Sequence, residues 1–391
     1  MVNTVVIAGG GVAGLTAAAE LRATLPSEDR IILIDRSFTV GLGLSALWVL
    51  RGWRSVDEVV RPMDPRSLPG VELLTGTISH IDPQTRTVHL DDDRSLTYDA
   101  LLLALGAALD EAAVPGLPEA LDGESAFQFY TPAGAAELHS RLGSFDRGRL
   151  MVLVASAPYR CPAAPYEAAF LMADMLGDRF TSGSVAIDVY SPDPLPMPVA
   201  GETVGRELVR LMDQQGIRFH GAMTTTHVDP ASRTVHFSDD STATYDLAAA
   251  VPPHVSPLKT ILGAAAGTSG WVPVESGSLA TSLERVWAVG DVTSLPVATG
   301  KPLPKAAVFA RAEAVAAAHQ ITRALRHDAP DTRFDGHGGC YVEVGNGLAA
   351  KGEGDFLATP SPRVVLSEPS SQSHEEKEQE ERDWLRRWTT Q

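Results

Sequence analysis

The chain has 391 residues, 44 % hydrophobic and 21 % charged, enough apolar material for two or three packed domains. Its 32 Lys and Arg stand against 49 Asp and Glu, and the net charge of −17 argues against nucleic acid and anionic membrane as partners. The two cysteines are not a secreted disulfide framework, no signal-peptide pattern opens the sequence, and no apolar run is long enough to span a bilayer. Cytoplasmic residence with at most peripheral membrane contact is therefore expected.

In chain order, residues 4–8 read as a short buried strand, 12–23 as a helix and 31–35 as a second strand. Between the first two lies GGGVAG, which supplies Gly9, Gly11 and Gly14 at the spacing of a dinucleotide cradle. The context gives this motif its weight. It follows a strand, opens a helix, and meets Asp35 at the end of the next strand. Gly9 permits the turn, Gly11 lets backbone approach a pyrophosphate, and Gly14 lets helix and sheet pack closely. Asp35 is placed to accept from ribose hydroxyls.

Residues 71–90 alternate and carry turn signals, which suggests a β-meander. A near copy recurs downstream: HIDPQTRTVHLDDDRSLTYD at 80–99 against HVDPASRTVHFSDDSTATYD at 227–246. The chain thus holds two related halves. The second begins near Leu150, with another strand at 184–190. Where the second half should repeat the glycine fingerprint it reads ASAPYRCPAAPYE, with no glycine between Gly148 and Gly177. Pro158, Pro162 and Pro165 remove N–H donors that a pyrophosphate would need, so this half is expected to bind NAD(P)H poorly. Cys161 stands there instead, before a helix whose N-terminus would lower its pKa. His254, held between prolines and another apolar segment, is a candidate to face a substrate cavity. Residues 305–326 read as a long helix and 331–366 as a β-rich piece containing Cys340. The tail segment HEEKEQEERD (374–383) reads as a solvated charge run, followed by Trp384, Leu385 and Trp388, which are expected to dock on a partner or on the chain's own core.

YDALLLALGA (98–107) and LERVWAVGDV (283–292) are similar to motifs of the pyridine-nucleotide–disulfide oxidoreductase superfamily. CPAAPYE at 161–167, Cys340 before Tyr341, GWRSVDEVVRP (52–62) and LPKAAVFARAEA (303–314) resemble the sulfide:quinone oxidoreductases and the flavoprotein subunits of flavocytochrome c sulfide dehydrogenases. The resemblance implies an α/β fold. Two Rossmann-like domains stand in tandem, the second degenerate, followed by a small β-rich C-terminal domain. The implied divisions are 1–110 with 250–326 for FAD, 111–249 for the second unit, and 327–391 for the C-terminal one. It implies FAD held by Gly9, Gly11, Val12, Ala13, Gly14, Asp35, Arg36, Ile78, Gly106 and Asp291, with Lys305 near the flavin's pyrimidine end. Leu105 departs from the threonine usual before Gly106. FAD is expected to be non-covalent, because Tyr130 and Gly134 stand where some relatives have an extra cysteine and a histidine.

The same resemblance implies a redox pair of Cys161 and Cys340, joined directly or through bridging sulfur, that oxidises sulfide, a thiol or a persulfide. Cys161 would keep the sulfur and Cys340 would pass electrons to the flavin, with Glu167 relaying protons. Quinone or a protein acceptor would take the electrons. The alternatives are an NAD(P)H:quinone dehydrogenase of this fold, and an electron-transfer flavoprotein whose acidic surface docks a cytochrome. A homodimer is compatible with all three.

Overall fold

The computed structural model describes residues 2–326 and 330–390. Two five-stranded parallel sheets form its frame, built to one plan. In the first, strand β1 (Thr4–Ala8) is central, flanked by β2 (Arg30–Asp35) and then β3 (Glu72–Thr75) on one side. On its other side come β7 (Ala100–Leu103) and β16 (Val286–Ala288). In the second sheet β9 (Gly148–Val154) is central, with β10 (Val185–Tyr190) and β11 (Arg218–His220) on one side. There, β15 (Leu247–Val251) and β8 (Ala126–Gln128) complete the order. Val5, Val6 and Ile7, like Leu150 and Val152, are fully buried, which is why these strands read as unbroken apolar runs.

The sequence repeat is a structural one. Each sheet is interrupted between its third strand and its return strand by an antiparallel meander: β4 (Ile78–Asp82), β5 (Thr87–Leu90) and β6 (Ser95–Thr97) in the first half. The second half has β12 (Thr225–Asp229), β13 (Thr234–Phe237) and β14 (Thr242–Thr244). His80 pairs with His89 and His227 with His236 in matching register, each after a bulge. Arg86 and Arg233 both take φ +52°, and Asp93 and Asp240 take +67° and +65°. The sequence reading placed the start of the first meander too early: residues 72–75 belong to the parallel sheet, paired with β2.

Helix α1 (Val12–Thr24) follows the glycine loop and packs on α4 (Ala307–Arg326). Both present small side chains at the contact, such as Ala17, Ala18, Ala314 and Ala317, so their backbones approach closely. Short helix α2 (Ser45–Arg51) carries Trp48 into the core, and α3 (Ala164–Leu176) follows the cysteine loop. A three-stranded antiparallel sheet, β17 (His337–Gly345), β18 (Leu348–Asp355) and β19 (Arg363–Leu366), leads to helix α5 (Ser371–Trp388).

Helix α5 corrects the reading of the tail as a solvated charge run. Ser370 caps it by accepting from Ser373 N at 3.1 Å. Its apolar residues lie against the chain's own core: Trp388 is fully buried, Trp384 meets it edge to face at 5.7 Å, and Leu385 is buried beside them. Lys377 and Glu381, from inside the charge run, are buried as well. Among the described residues the only exposed large hydrophobics are Val2, Val255 and Val365, and no helix is long and apolar enough to cross a membrane. Trp388→Ala should cost about 3–5 kcal/mol, the usual penalty for emptying a buried aromatic site. Chemical denaturation would check it, and a loss under 1 kcal/mol would show that α5 is only loosely docked.

Candidate functional site

One cavity of about 630 Å³ runs from the glycine loop to the two cysteines. Gly9, Gly11, Val12, Ala13, Asp35, Arg36, Ile78, Gly106, Asp291 and Lys305 all line it, and so do Cys161, Cys340 and Glu167. Gly14 does not. Its place is between helix and sheet, where a Cβ would sit 1.8 Å from the Gly9 carbonyl oxygen. Gly9 takes φ +106°, and a Cβ there would meet the Ala104 carbonyl at 2.5 Å. Gly11 caps α1 with nothing within 4 Å of a Cβ position, so the helix N-terminus is open to the cavity. Asp35 holds this loop in shape. Its Oδ2 accepts from Gly10 N at 2.8 Å and its Oδ1 from Ser37 N and Phe38 N at 2.9 and 3.0 Å. An open helix terminus, glycine-thinned backbone and an acidic strand end fit the phosphates and ribose of a dinucleotide.

At the middle of the cavity Lys305 is buried rather than at the surface. Its Nζ donates to the carbonyls of Asp291 (2.7 Å) and Thr293 (3.1 Å) and lies 3.8 Å from the centre of the Trp271 ring. Burial pushes its pKa down to about 8, against the pull of Asp291 and Glu313. Glu313 of α4, which sequence reasoning missed, accepts from Gly290 N at 2.5 Å, and burial raises its carboxyl to about 8. Its only signal was a lone acid among the alanines of RAEAVAAAH. His254 does not line the cavity. It is buried behind Tyr130, edge to face at 4.8 Å, with Nδ1 3.0 Å from the Pro252 carbonyl, and burial pushes it down to about 3.

The cysteine loop replaces the second cradle. Cys161 takes φ +47°, donates its N–H to the Lys305 carbonyl at 2.7 Å, and accepts from Ala164 N at 2.8 Å. It is thus pinned to the segment that carries Lys305. The expected lowering of its pKa is not found. Burial followed by the Glu167 charge pushes the thiol up to about 11, outweighing Lys377 and the backbone N–H groups of Ala164 and Ala163 at the helix start, which pull it down. Cys340 lies on β17, and burial pushes it higher still, with Cys161 adding to the shift. The two thiols are unbonded and sense each other across one cavity.

Glu167, on the first turn of α3, is buried and pairs with Lys377 of α5. Lys377 Nζ also lies 3.7 Å from Glu343 Oε1 on β17 and 5.3 Å from the centre of the Trp48 ring. Glu343, fully buried, accepts from Trp48 Nε1 at 3.1 Å and meets His374 Nδ1 at 3.0 Å. Burial raises Glu167 to about 7 despite the lysine beside it, and the two carboxylates hold Lys377 above its ordinary value. Lys377 and Glu380 also line the cavity. Neither was anticipated, because in the sequence both sit inside an apparently solvated charge run.

Removing this lysine would leave two carboxylates facing each other in the interior. Lys377→Met should cost about 3–5 kcal/mol, and Glu167→Gln in the same chain should restore part of it; additive losses in denaturant titrations would contradict the pairing. The thiol makes a second prediction. With a raised pKa the reactive thiolate grows with pH, so iodoacetamide labelling of Cys161 should climb about tenfold per pH unit from pH 7 to 9. Levelling off below pH 8 would show an acidic thiol instead.

Residues 3–153 match the family model described as pyridine nucleotide-disulphide oxidoreductase, and residues 135–252 match the central part of the sulfide dehydrogenase [flavocytochrome c] flavoprotein chain. Mitochondrial sulfide:quinone oxidoreductase from Mus musculus is 20% identical over 367 residues, covering 91% of this chain and 79% of that protein. Sulfide-quinone reductase from Aquifex aeolicus is 24% identical over 353 residues, covering 85% and 78%. The X-ray structure of the Aquifex aeolicus sulfide:quinone oxidoreductase shares the fold with TM-score 0.84 at 21% identity, covering 98% of this chain and 91% of that one. The dinucleotide for which the cavity is shaped is FAD, the cofactor of this family. In sequence and fold the chain is similar to the pyridine nucleotide-disulphide oxidoreductases, and in particular to sulfide:quinone oxidoreductases and the flavoprotein chain of flavocytochrome c sulfide dehydrogenase.

Proposed function

We propose that the protein is an FAD-dependent enzyme that oxidises sulfide, a small thiol or a persulfide through Cys161 and Cys340. One observation carries this reading: the chain's only two cysteines, 161 and 340, meet in the cavity that the dinucleotide cradle opens. The relatives named for sulfide and quinone point the same way.

In this reading the resting enzyme holds the two cysteines oxidised, joined directly or through sulfur. A substrate sulfur attacks, one S–S bond breaks and a new one forms, as in ordinary thiol–disulfide exchange. Cys161 keeps the incoming sulfur and Cys340 leaves as a thiolate carrying the electron pair. FAD, held non-covalently, would supply the two-electron sink when the S–S link between the two cysteines is rebuilt, and quinone or another acceptor would take the electrons onward. Glu167, raised to about 7, is suited to give or take a proton near neutrality. Lys377 balances the negative charge that appears when either thiol ionises, and Lys305 supplies a second cation at the cofactor end.

NADH as electron donor is disfavoured by the second half. The loop after β9 has no glycine, Pro165 sits in the first turn of α3, and Cys161 occupies the approach a pyrophosphate would use.

The test is anaerobic mixing of the purified flavoprotein with sulfide, thiols and NADH. Sulfide or a thiol should bleach the flavin absorption rapidly, NADH should not, and Cys161→Ser and Cys340→Ser should each abolish the bleaching. Undiminished bleaching in both variants would remove the thiols from the reaction, and rapid bleaching by NADH would reverse the choice of donor.

A further inference from the structure

Lys305 is a buried cation without a carboxylate against it. The residue is 7 % exposed, and it makes no ion pair among the described residues. Two acids lie near enough for their charge to reach it. Glu313 accepts from Gly290 N at 2.5 Å, and Asp291 presents its backbone carbonyl, so neither closes an ion pair with the ammonium. The other titratable neighbours are Arg160 and His254. Arg160 is bridged to Lys305 through backbone, and His254 is pressed toward its neutral form by burial first, then by Arg160 and Lys305. Burial drives Lys305 toward neutrality as well.

What surrounds Nζ instead is electron-rich and uncharged: the carbonyl oxygens of Asp291 at 2.7 Å and Thr293 at 3.1 Å, and the face of the Trp271 ring at 3.8 Å from its centre. An ammonium has three N–H donors and no lone pair, whereas a neutral amine keeps a lone pair on the same nitrogen. Three electron-rich groups around one nitrogen suit three donors, and a lone pair would be repelled by whichever it faced. The indole is built into this place. Val272–Pro273 run parallel to Thr293–Ser294, so Trp271 stands beside the strand whose carbonyl accepts from Lys305. Gly270 before it takes φ +79°, and a Cβ there would lie 2.8 Å from Lys259 Cβ. Trp271 N donates to Ser269 Oγ at 3.3 Å. Lys305 lines the cavity, and Trp271 stands behind it.

We propose that Trp271 is a positioning residue that keeps Lys305 charged and, through Lys305, sets how readily a flavin bound in the cavity takes up electrons. This rests on the flavoenzyme reading given above. With its donors directed at two carbonyls and the ring, Lys305 acts on the cofactor by charge through space. Two electrons from the cysteine pair and one proton from solvent give the flavin ring one negative charge, which a cation nearby stabilises. When Lys305 loses its proton that attraction is gone. Trp271 therefore moves to higher pH the point at which the cofactor becomes harder to reduce.

Two measurements on the flavin-loaded protein test this. The first is the titration of Lys305 itself, followed by NMR with 13C-labelled lysine. The chain carries only Lys259, Lys301, Lys305, Lys351 and Lys377, and Lys305→Arg identifies the signal by its absence. Trp271→Leu should lower the Lys305 midpoint by about one pH unit, a tenfold change, the size of a desolvated cation–π contact. Trp271→Phe keeps a weaker aromatic face and should lower it less. An unchanged midpoint in both variants overturns the role of the indole.

The second measurement is the flavin midpoint potential against pH, taken with an electrode and mediator dyes so that no sulfur substrate is needed. Between the two Lys305 midpoints the potential of Trp271→Leu should lie about 30 mV below that of the unaltered protein, which is a tenfold change for two electrons. Toward pH 6, where Lys305 is charged in both, the two potentials should converge. A lowered Lys305 midpoint with one potential at every pH overturns the link to the cofactor. If sulfide and thiols leave the flavin oxidised, the sulfur-oxidising reading fails, while both of these measurements still decide the role of Trp271.

Discussion

The buried ammonium of Lys377 is the interaction on which the thiol end of the molecule depends. It stands between Glu167 on α3 and Glu343 on β17, beneath the Trp48 ring of α2. Four segments remote in sequence converge on one charge. Neither carboxylate is tolerable in the interior without it, and the cation is equally intolerable without them. A well-packed apolar cluster would hold these elements together as well or better. What the ions add is a fixed electrostatic setting around Cys161 and Cys340, two thiols that burial otherwise keeps protonated.

The two halves of the chain show how one plan serves two purposes. The sheets share strand order, and the meanders share register, bulge and left-handed residues. They differ at the turn after the central strand. In the first half glycines let α1 come within contact of the Gly9 carbonyl, and the helix N-terminus is left open. In the second half prolines and a cysteine fill the turn, and Cys161 is tied by backbone to the Lys305 segment. The second turn therefore reaches into the first half's cavity and presents a thiol there.

Much of this was readable in the residues. GGGVAG followed by Asp35 specified a local turn whose chemistry is entirely backbone, and the repeat DP-x-x-R-T-V-H marked both meanders. Gly14 lies between helix and sheet, behind the cavity wall. What was not readable depended on long-range burial. Lys377 is flanked by Glu375, Glu376 and Glu378, and nothing in that local pattern shows that one face of the helix enters the core. The same blindness misjudged Cys161: the N–H groups at the helix start do favour its thiolate, but burial and the Glu167 charge outweigh them. Glu167 and Glu313 had equally plain local contexts, and both are buried.

Helix α5 is synthesised after both sheets, all of the cradle and both cysteines. The cation that balances the charges around the thiols thus comes from a segment that follows all of these in the chain, Lys377 standing between carboxylates that earlier elements supply. A chain that has folded everything up to β19 holds the nucleotide-shaped groove and the two thiols, but their carboxylate neighbours remain uncompensated. Docking of this helix therefore sets the electrostatics around the thiols, and displacing it would change them without touching either cysteine.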